Sequence, residues 1–282
     1  MQPLDYCRQK TAESRSSFLS GFRFLPQAQR DAMTVLYAFC RELDDVADDC
    51  SDLGVAQAAL HWWRGDLAKV FGSETPEHPV NQALKSIAPP FALPHGELAE
   101  LIDGMQMDLN QVRYQTFDDL KRYCRCVAGA VGCLIARILG FSDPQTLAYA
   151  DKMGLALQLT NIIRDVGEDA RNGRIYLPMA DLQQFDVPAA VIMQAKPDAA
   201  FAEMMTFQAA RARATYREAV ALLPDADRKK QKAGLIMAAI YYALLEEIER
   251  DGVQNVLRYK IAIPSPRKKR IALKTWLFGF KP

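Results

Sequence analysis

Apolar residues recur along this chain at the three- and four-residue spacing of helices, and no stretch alternates with period two for long enough to predict a strand. Proline and glycine fall between these periodic segments, where they favour helix ends and turns. The pattern predicts helices at roughly 27–49, 54–71, 79–88, 95–110, 117–139, 143–170, 198–222 and 225–250. No repeat, low-complexity tract or linker divides these segments. We therefore expect an all-α fold in which residues 1–282 form a single domain.

Composition and charge argue against several kinds of protein. Half of the 282 residues are hydrophobic, which is enough for a large core, and the net charge of +1 gives no electrostatic reason to expect a nucleic-acid partner. The six cysteines form no CxxC pair and have no histidine at metal-ligand spacing, which favours reduced thiols and a cytoplasmic protein. No signal peptide is evident at the start, and the longest uncharged apolar run, residues 233–245, is shorter than the roughly 18 residues of a spanning helix.

One apolar helix carries a stripe of oxygen-bearing side chains. The spacing i, i+3, i+7 and i+11 places four residues of the longest predicted helix on one narrow face: Gln158, Asn161, Asp165 and Asp169. A buried amide or carboxylate without a partner costs roughly several kcal/mol, so the stripe needs one. Carboxylate and amide oxygens suit a hard cation such as Mg²⁺, and Arg164 beside them suits an anion. The alternative, a core helix that turns polar where it reaches solvent, explains the acidic end of the stripe but not its two amides.

A second acidic cluster lies at the end of the first predicted helix. Asp44 and Asp48 are four residues apart and share a face with Arg41. Their repulsion destabilises a helix by roughly a few tenths of a kcal/mol unless a cation lies between them. Taken alone, an acidic helix end is more often a solvated polar face. Together with the first stripe, it predicts two acidic faces that meet across a cavity and bind Mg²⁺ between them.

Two such faces suit one kind of chemistry. Mg²⁺ ions between them bridge a diphosphate and make it a better leaving group, while Arg and Lys take its remaining charge. An allylic diphosphate then ionises to a carbocation, which needs an apolar cavity that excludes water. The apolar segments 127–132 and 233–245 are suitable walls. Within the first of them, Gly129 and Gly132 either widen a tunnel or let helices pack closely.

Both acidic clusters lie in motifs that resemble those of the squalene/phytoene synthase family. Residues 41–48 read Arg-Glu-Leu-Asp-Asp-Val-Ala-Asp, and residues 158–169 read Gln-Leu-Thr-Asn-Ile-Ile-Arg-Asp-Val-Gly-Glu-Asp. Further similarity runs almost from end to end and includes Gly-Arg-Ile-Tyr-Leu-Pro at residues 173–178. The opening residues and the basic ending are most similar to the branch of hopanoid-associated presqualene diphosphate synthases.

This resemblance implies the isoprenoid synthase fold, with a central cavity between two aspartate-rich helices. It also implies a Mg²⁺-dependent prenyltransferase, with Mn²⁺ as a substitute, that joins two farnesyl diphosphates head to head (1′-1). The branch resembled here stops at presqualene diphosphate, needs no NADPH, and leaves further conversion to downstream enzymes of squalene and hopanoid biosynthesis. The alternatives are a phytoene, dehydrosqualene or squalene synthase, or a non-catalytic helical protein that binds prenyl lipids or membranes.

The resemblance also implies roles for individual residues. The implied metal ligands are Asp44, Asp48, Asn161, Asp165 and Asp169. The implied substrate contacts, mainly to diphosphate, are Ser14, Arg15, Ser16, Ser17, Tyr37, Arg41, Arg164, Arg174, Tyr241 and Lys260, with Gln158 near the reacting carbons. The implied catalytic set is Asp44, Asp48, Asp165, Asp169 and Tyr37. Both tyrosines are also typical of core positions, and the match at Lys260 depends on loop length.

One position departs from the family pattern. Squalene and dehydrosqualene synthases carry a tyrosine at one of the two positions held here by Arg125 and Cys126. In that family the tyrosine is associated with steps around the cyclopropyl intermediate, so its absence fits an enzyme that releases the intermediate. The alternative is that Tyr123 takes over part of the role.

The C-terminal segment, residues 264–282, combines basic and aromatic side chains. From Lys260 to the end, the chain has seven basic residues and no acidic one. Basic residues next to Trp and Phe suit an anionic membrane interface, where each Lys or Arg contributes about 1 kcal/mol. This interpretation predicts a cytoplasmic protein that binds peripherally to the inner face of the membrane. The alternative is a terminal helix whose aromatic residues pack on the rest of the protein.

Overall fold

Helices make up the fold, as the hydrophobic periodicity predicts. The computed structural model describes residues 1–13, 25–50, 52–110 and 113–282, and the side chain of Asp49 lies outside this description. Across the described ranges there is no strand. The prediction of an all-α fold is therefore confirmed.

The predicted bounds of most long helices agree with the structure to within two residues. Within the described ranges the α-helices are α1 (Pro3–Glu13), α2 (Gln27–Asp49), α3 (Leu53–Phe71), α4 (Pro79–Ile87), α5 (His95–Asn110), α6 (Phe117–Cys124), α7 (Ala130–Leu139), α8 (Gln145–Arg171), α9 (Met179–Gln184), α10 (Ala189–Met193), α11 (Ala199–Leu222), α12 (Lys232–Asp251) and α13 (Ser265–Phe278). A π-helical turn, Arg125–Gly129, joins α6 to α7, and 3₁₀ turns at Asp225–Asp227 and Val253–Leu257 flank α12.

The differences from the predicted helices have local causes. The predicted helix 117–139 is interrupted by the π-helical turn, in which the Ala130 amide donates to the Arg125 carbonyl five residues earlier. Periodicity also gives no sign of α1, because this helix is mostly polar and buries Cys7 and Thr11 alone among its residues.

Close contact between backbones joins α8 to the π-helical turn and to α7. A Cβ atom placed on Gly154 would lie 2.5 Å from the carbonyl oxygen of Ala128, and one on Gly132 would lie 2.5 Å from that of Ala150. Both distances are too short for any side chain, so glycine is required at each position. For Gly132, the structure therefore supports close packing of helices.

Two groups of buried hydrophobic residues form the interior. One surrounds α8, α11 and α12, and the other lies among α2, α3, α4, α5 and α7. Val127 of the π-helical turn packs against both groups. The turn therefore lies where the two groups meet, and the candidate site described below opens beside it.

Asp227, in the turn before α12, fixes the loop that precedes α8. Its buried side chain accepts hydrogen bonds from the backbone amides of Ser142 (2.7 Å) and Asp143 (2.9 Å) and from the Thr146 hydroxyl (2.9 Å). Burial alone raises the pKa of this carboxyl, but the hydrogen bonds outweigh burial and lower the pKa to about 2. The use of Asp227 in this loop explains why the predicted helix 225–250 begins only at Lys232.

Asp227→Asn is expected to lower the free energy of unfolding at pH 7 by about 1–3 kcal/mol, because its amide nitrogen cannot accept one of these hydrogen bonds. A carboxyl with a lowered pKa stabilises the fold above its unfolded pKa of about 4, and this contribution is lost as the pH falls toward the folded value. Urea unfolding at pH 7 and pH 3 measures the effect. The difference between wild type and variant should shrink at pH 3; an equal difference at both would contradict the role of the ionised carboxylate.

Candidate active site

Helix α8 presents the predicted polar stripe on one face and packs its apolar residues into the core. Ile162, Ile163 and Val166 on other faces are at most 4% exposed. The buried hydroxyls of Thr160 and Tyr216 lie 2.9 Å apart and join α8 to α11. These contacts fix the rotation of α8 about its axis, so the stripe is held outside the core.

Basic side chains hold the acidic end of α2. Arg41 binds Asp45 at 2.6 Å and lies 3.9 Å from Asp44. Asp48 accepts a hydrogen bond of 3.0 Å from Arg174, a residue 126 positions away in the loop after α8. This contact connects the first acidic motif to the segment that follows the second one.

The acidic faces of α2 and α8 converge. Desolvation, together with the charges of neighbouring carboxylates that include Asp108, raises the pKa of Asp44 to about 7. Desolvation also raises the pKa of Asp169 to about 7, and neighbouring carboxylates that again include Asp108 contribute. Asp108 on α5 is close enough to both carboxyls to raise the pKa of each. Arg174 connects the two motifs directly, because its backbone amide donates to the Asp169 carbonyl at 2.9 Å and its guanidinium donates to Asp48 at 3.0 Å. These contacts support the prediction that the motifs meet.

Asp108 is the residue of this site that the sequence analysis missed. It accepts hydrogen bonds from the hydroxyls of Tyr123 (2.8 Å) and Tyr176 (2.7 Å), whose rings stack at 5.3 Å. Burial raises the pKa of Asp108, although both hydroxyls oppose this effect. A signal was present in the sequence, since this carboxylate lies in an otherwise apolar stretch of a predicted helix, but it has no acidic partner at i+4.

The oxygen donors at this site fit a divalent metal ion. Asp44, Asp48, Asp165 and Asp169 supply carboxylates, and the buried Oδ1 of Asn161 has no hydrogen-bond partner among the described residues. Hard cations such as Mg²⁺ and Mn²⁺ prefer these two kinds of donor. A cation would also offset the repulsion that raises the pKa values. In the part of the chain that the structure describes, no three acidic, His or Cys side chains form a preformed metal cluster, and basic side chains bind several of the carboxylates instead.

Cationic side chains lie on the same face as the acidic stripe. Lys260 binds Asp165 at 3.2 Å and Glu168 at 2.7 Å. Arg164 donates from Nε to Asp165 at 2.7 Å and also interacts with Tyr241. Charged donors of this kind bind phosphate oxygens strongly. The site therefore combines oxygen donors for a metal ion with cations for an anionic ligand.

An apolar cavity begins at the end of the stripe that carries the two amides, Gln158 and Asn161. It has a volume of about 770 Å³ including its open mouth. Its lining residues are Val127, Ala128, Val131, Gly132, Ile135, Tyr149, Ala150, Met153, Gly154, Leu157, Gln158, Asn161, Gln231, Gly234, Met237 and Tyr241. Both segments predicted as walls contribute, and Gln158, Asn161 and Tyr241 bring polar groups to the end nearest the acidic stripe.

For Tyr37 and for residues 14–17, the structure does not test the predicted contact with substrate. Tyr37 is half-buried on α2, one turn before Arg41, and it is not among the described residues that line the cavity. Its role stays a prediction. Ser14, Arg15, Ser16 and Ser17 lie outside the described residues.

The two positions that depart from the family pattern do not line the cavity. Arg125 binds Glu100 on α5 at 2.9 Å and Asp151 on α8 at 3.0 Å. Neither Arg125 nor Cys126 lines the cavity in the described ranges, whereas Val127 does. In the alternative interpretation, Tyr123 takes over part of the role of the missing tyrosine. In this structure its hydroxyl donates a hydrogen bond to Asp108 at 2.8 Å.

Comparisons with known proteins point to one family. A profile of the squalene/phytoene synthase family matches residues 11–269. A phytoene synthase from Arthrospira platensis is 35% identical over 94% of this chain and 89% of its own. The crystal structure of a dehydrosqualene synthase in complex with ligand has a TM-score of 0.85 at 27% identity and covers 99% of this chain and 97% of its own. That of squalene synthase HpnC from Alicyclobacillus acidocaldarius has a TM-score of 0.78 at 29% identity and covers 89% and 94%.

Proposed function

This chain belongs to the squalene/phytoene synthase family, and from that premise we propose that it joins two farnesyl diphosphates head to head to give presqualene diphosphate and diphosphate. One observation carries the proposal: two acidic helix faces converge at the polar end of an apolar cavity. Such a site holds a diphosphate at its acidic end and a hydrocarbon chain in its apolar part.

The proposed reaction is balanced without an oxidant or a reductant. The C1–O bond of one allylic diphosphate breaks, and its electron pair leaves with diphosphate. The double bond of the second substrate attacks the resulting cation, which forms a C–C bond. Loss of a proton then closes a cyclopropane ring, and the second diphosphate stays on the product.

The residues of the site bind and orient the two substrates. Mg²⁺ or Mn²⁺ supplies positive charge that stabilises the leaving diphosphate. The residues that would hold the ions are Asp44, Asp48, Asn161, Asp165 and Asp169. The residues that take the remaining negative charge are Arg41, Arg164, Arg174 and Lys260, with Tyr37, Tyr241 and residues 14–17 as further diphosphate contacts. Gln158 lies near the reacting carbons, and the apolar walls exclude water from the cation.

A hydrocarbon product is the second candidate, because relatives of this chain are named phytoene, dehydrosqualene and squalene synthases. One feature favours release of the cyclopropyl intermediate instead. The tyrosine that squalene and dehydrosqualene synthases carry at position 125 or 126 is absent, and Arg125 is bound to Glu100 and Asp151.

Product analysis tests the proposal. Purified protein is incubated with Mg²⁺ and either farnesyl or geranylgeranyl diphosphate, in parallel with and without NADPH, because formation of squalene needs a reductant. The products are identified by mass spectrometry before and after phosphatase treatment. We expect a C30 cyclopropyl diphosphate to accumulate with one equivalent of free diphosphate. A C30 hydrocarbon from farnesyl diphosphate, or a C40 hydrocarbon from geranylgeranyl diphosphate, would contradict the proposed endpoint. Substrate binding without any diphosphate release would favour the non-catalytic lipid-binding alternative.

We also propose that α13 binds the surface of an anionic membrane. Leu273, Trp276 and Leu277 are each more than half exposed on its outer face, and Phe278 is 77% exposed. Phe280 is buried against Tyr242 at 5.7 Å, so the end of the chain packs on the protein, whereas Trp276 has a contact with Lys232 of α12 at 4.8 Å and keeps about half of its surface exposed. None of the helices in the described ranges is long and apolar enough to cross a membrane.

The charge of α13 favours anionic lipid as its partner. Lys269, Arg270 and Lys274 are exposed beside the apolar residues, and residues 260–282 contain no acidic side chain. Apolar residues that enter the lipid interface and basic residues that meet anionic headgroups together describe an interfacial helix. A membrane position also suits a lipophilic substrate and product.

Replacing Trp276 and Leu277 together with serine is expected to weaken binding to phosphatidylglycerol vesicles at least tenfold, since two exposed apolar side chains no longer enter the interface. Vesicle co-sedimentation measures this effect. The matched control replaces Leu53 and Val55, two similarly exposed residues of α3, with serine, and it should bind like wild type. Equal binding by both variants, or binding that is indifferent to anionic lipid, would exclude α13 as the contact.

A further inference from the structure

The wall of the cavity includes a buried tyrosine that the proposed chemistry does not use. Tyr149 is 2% exposed and lines the cavity, and its hydroxyl has no hydrogen-bond partner among the described residues. A buried hydroxyl without a partner is unfavourable, and phenylalanine would avoid this cost. The ring and hydroxyl therefore occupy space at the cavity end without a structural hydrogen bond to explain them.

Tyr149 lies far from the polar end along one wall. The lining residues of α8 recur every four positions as Tyr149, Met153, Leu157 and Asn161. The twelve residues from Tyr149 to Asn161 span about 18 Å at the helical rise of about 1.5 Å per residue. The cavity is therefore an elongated tunnel. Asn161, beside the residues proposed to bind metal and diphosphate, lies at one end of this row, and Tyr149 lies at the other.

Helix α12 closes the tunnel against Tyr149. A Cβ atom on Gly234 would lie 3.6 Å from the Tyr149 hydroxyl, so the α12 backbone passes directly beside this group. Gln231, one turn earlier, is 2% exposed and donates to the carbonyls of Ala136 (3.2 Å) and Gly140 (2.9 Å). These bonds attach the start of α12 to the end of α7. Tyr149 therefore cannot move outward without displacing a helix that is fixed at this point.

We propose that Tyr149, held against Gly234 of α12, is the floor of the hydrocarbon tunnel and limits the length of the prenyl chain that the site accepts. The proposal rests on the proposed function, because it assumes that a prenyl diphosphate occupies this tunnel. A substrate with its diphosphate at the acidic end extends its chain toward Tyr149. One more isoprene unit needs the volume that the tyrosine side chain fills, so the site prefers farnesyl over geranylgeranyl diphosphate.

Tyr149→Ala tests the floor by opening it. We expect the ratio of kcat/KM for geranylgeranyl diphosphate to that for farnesyl diphosphate to rise at least tenfold. Tyr149→Phe is the matched control, because it keeps the ring, and its ratio should stay within about threefold of wild type. Diphosphate release measures turnover, and thermal stabilisation by the corresponding thiodiphosphates measures binding without turnover. An unchanged ratio in folded Tyr149→Ala overturns the proposal.

Gly234→Ala tests the same floor from the side of α12. It also provides a second test if Tyr149→Ala does not fold. The added methyl group has ordinary contact distance to Tyr149, so the protein should fold. It shortens the tunnel, and we expect kcat/KM for farnesyl diphosphate to fall at least fivefold relative to that for the shorter geranyl diphosphate. If Tyr149→Ala has no thermal unfolding transition, this variant decides, and an unchanged preference overturns the proposal. Wild-type protein that releases no diphosphate from farnesyl diphosphate overturns the proposed function itself, and the floor with it.

Discussion

Asp165→Asn is expected to lower the rate of diphosphate release from farnesyl diphosphate about a thousandfold or more. The change removes a negative charge from the centre of the α8 stripe but keeps the size of the side chain. Lys260 and Arg164 both bind this carboxylate, so it organises cationic side chains in addition to its proposed role as a metal ligand. Loss of a metal contact that stabilises the leaving group is worth several kcal/mol, and about 4 kcal/mol corresponds to a factor of a thousand.

The same loss is expected for Asp44→Asn on α2, because the two acidic faces act together. Asp225→Asn is the matched control: its carboxylate is 97% exposed and binds Arg228 far from both motifs, so it should turn over like wild type. Circular dichroism should show unchanged helical content in all three proteins. Normal turnover by both Asp165→Asn and Asp44→Asn would mean that the acidic faces do not bind the catalytic metal.

Asp108→Asn is expected to lower kcat/KM about 10- to 100-fold and to raise the Mg²⁺ concentration needed for half-maximal rate. Asp108 is close enough to both motifs to raise the pKa of Asp44 and of Asp169, and it accepts hydrogen bonds from the hydroxyls of Tyr123 and Tyr176. An asparagine keeps the shape but offers one acceptor oxygen in place of two, so one tyrosine loses its partner. Groups that orient metal ligands typically contribute effects of this size.

Tyrosine variants separate the electrostatic role of Asp108 from its hydrogen bonds. Tyr176→Phe and Tyr123→Phe each remove one hydroxyl and leave the carboxylate charged. If the charge of Asp108 is what matters, each tyrosine variant should keep the Mg²⁺ dependence of wild type while Asp108→Asn shifts it. An Asp108→Asn protein with unchanged Mg²⁺ dependence would remove Asp108 from the site.

The helices and the polar stripe could be predicted because both depend on local sequence. Prolines and glycines mark helix ends, and spacing alone decides that Asn161, Asp165 and Asp169 share a face of α8. Predicting that the two acidic motifs converge required a further assumption, namely that an acidic pair on an apolar helix needs a cation as its partner. The family motifs supplied the same conclusion independently.

Other features depend on contacts between distant segments, which periodicity does not reveal. The hydrogen bond from Arg174 to Asp48 spans 126 positions. The position of Asp108 depends on how α5 meets α2 and α8, and the direction of Arg125 depends on the π-helical turn. A turn with one extra residue rotates the side chains that follow it relative to the earlier helix, and helical periodicity does not predict such a turn.

Crystals grown with Mn²⁺ and farnesyl thiodiphosphate, an analogue that ionises slowly, provide the most direct test of the central claim. Anomalous scattering locates Mn²⁺ without reference to any assumed ligand. The account predicts Mn²⁺ bound by carboxylates of both α2 and α8, with the diphosphate between them and the hydrocarbon chain directed into the cavity. Mn²⁺ bound by one of these helices alone, or a diphosphate bound elsewhere without metal, would contradict it.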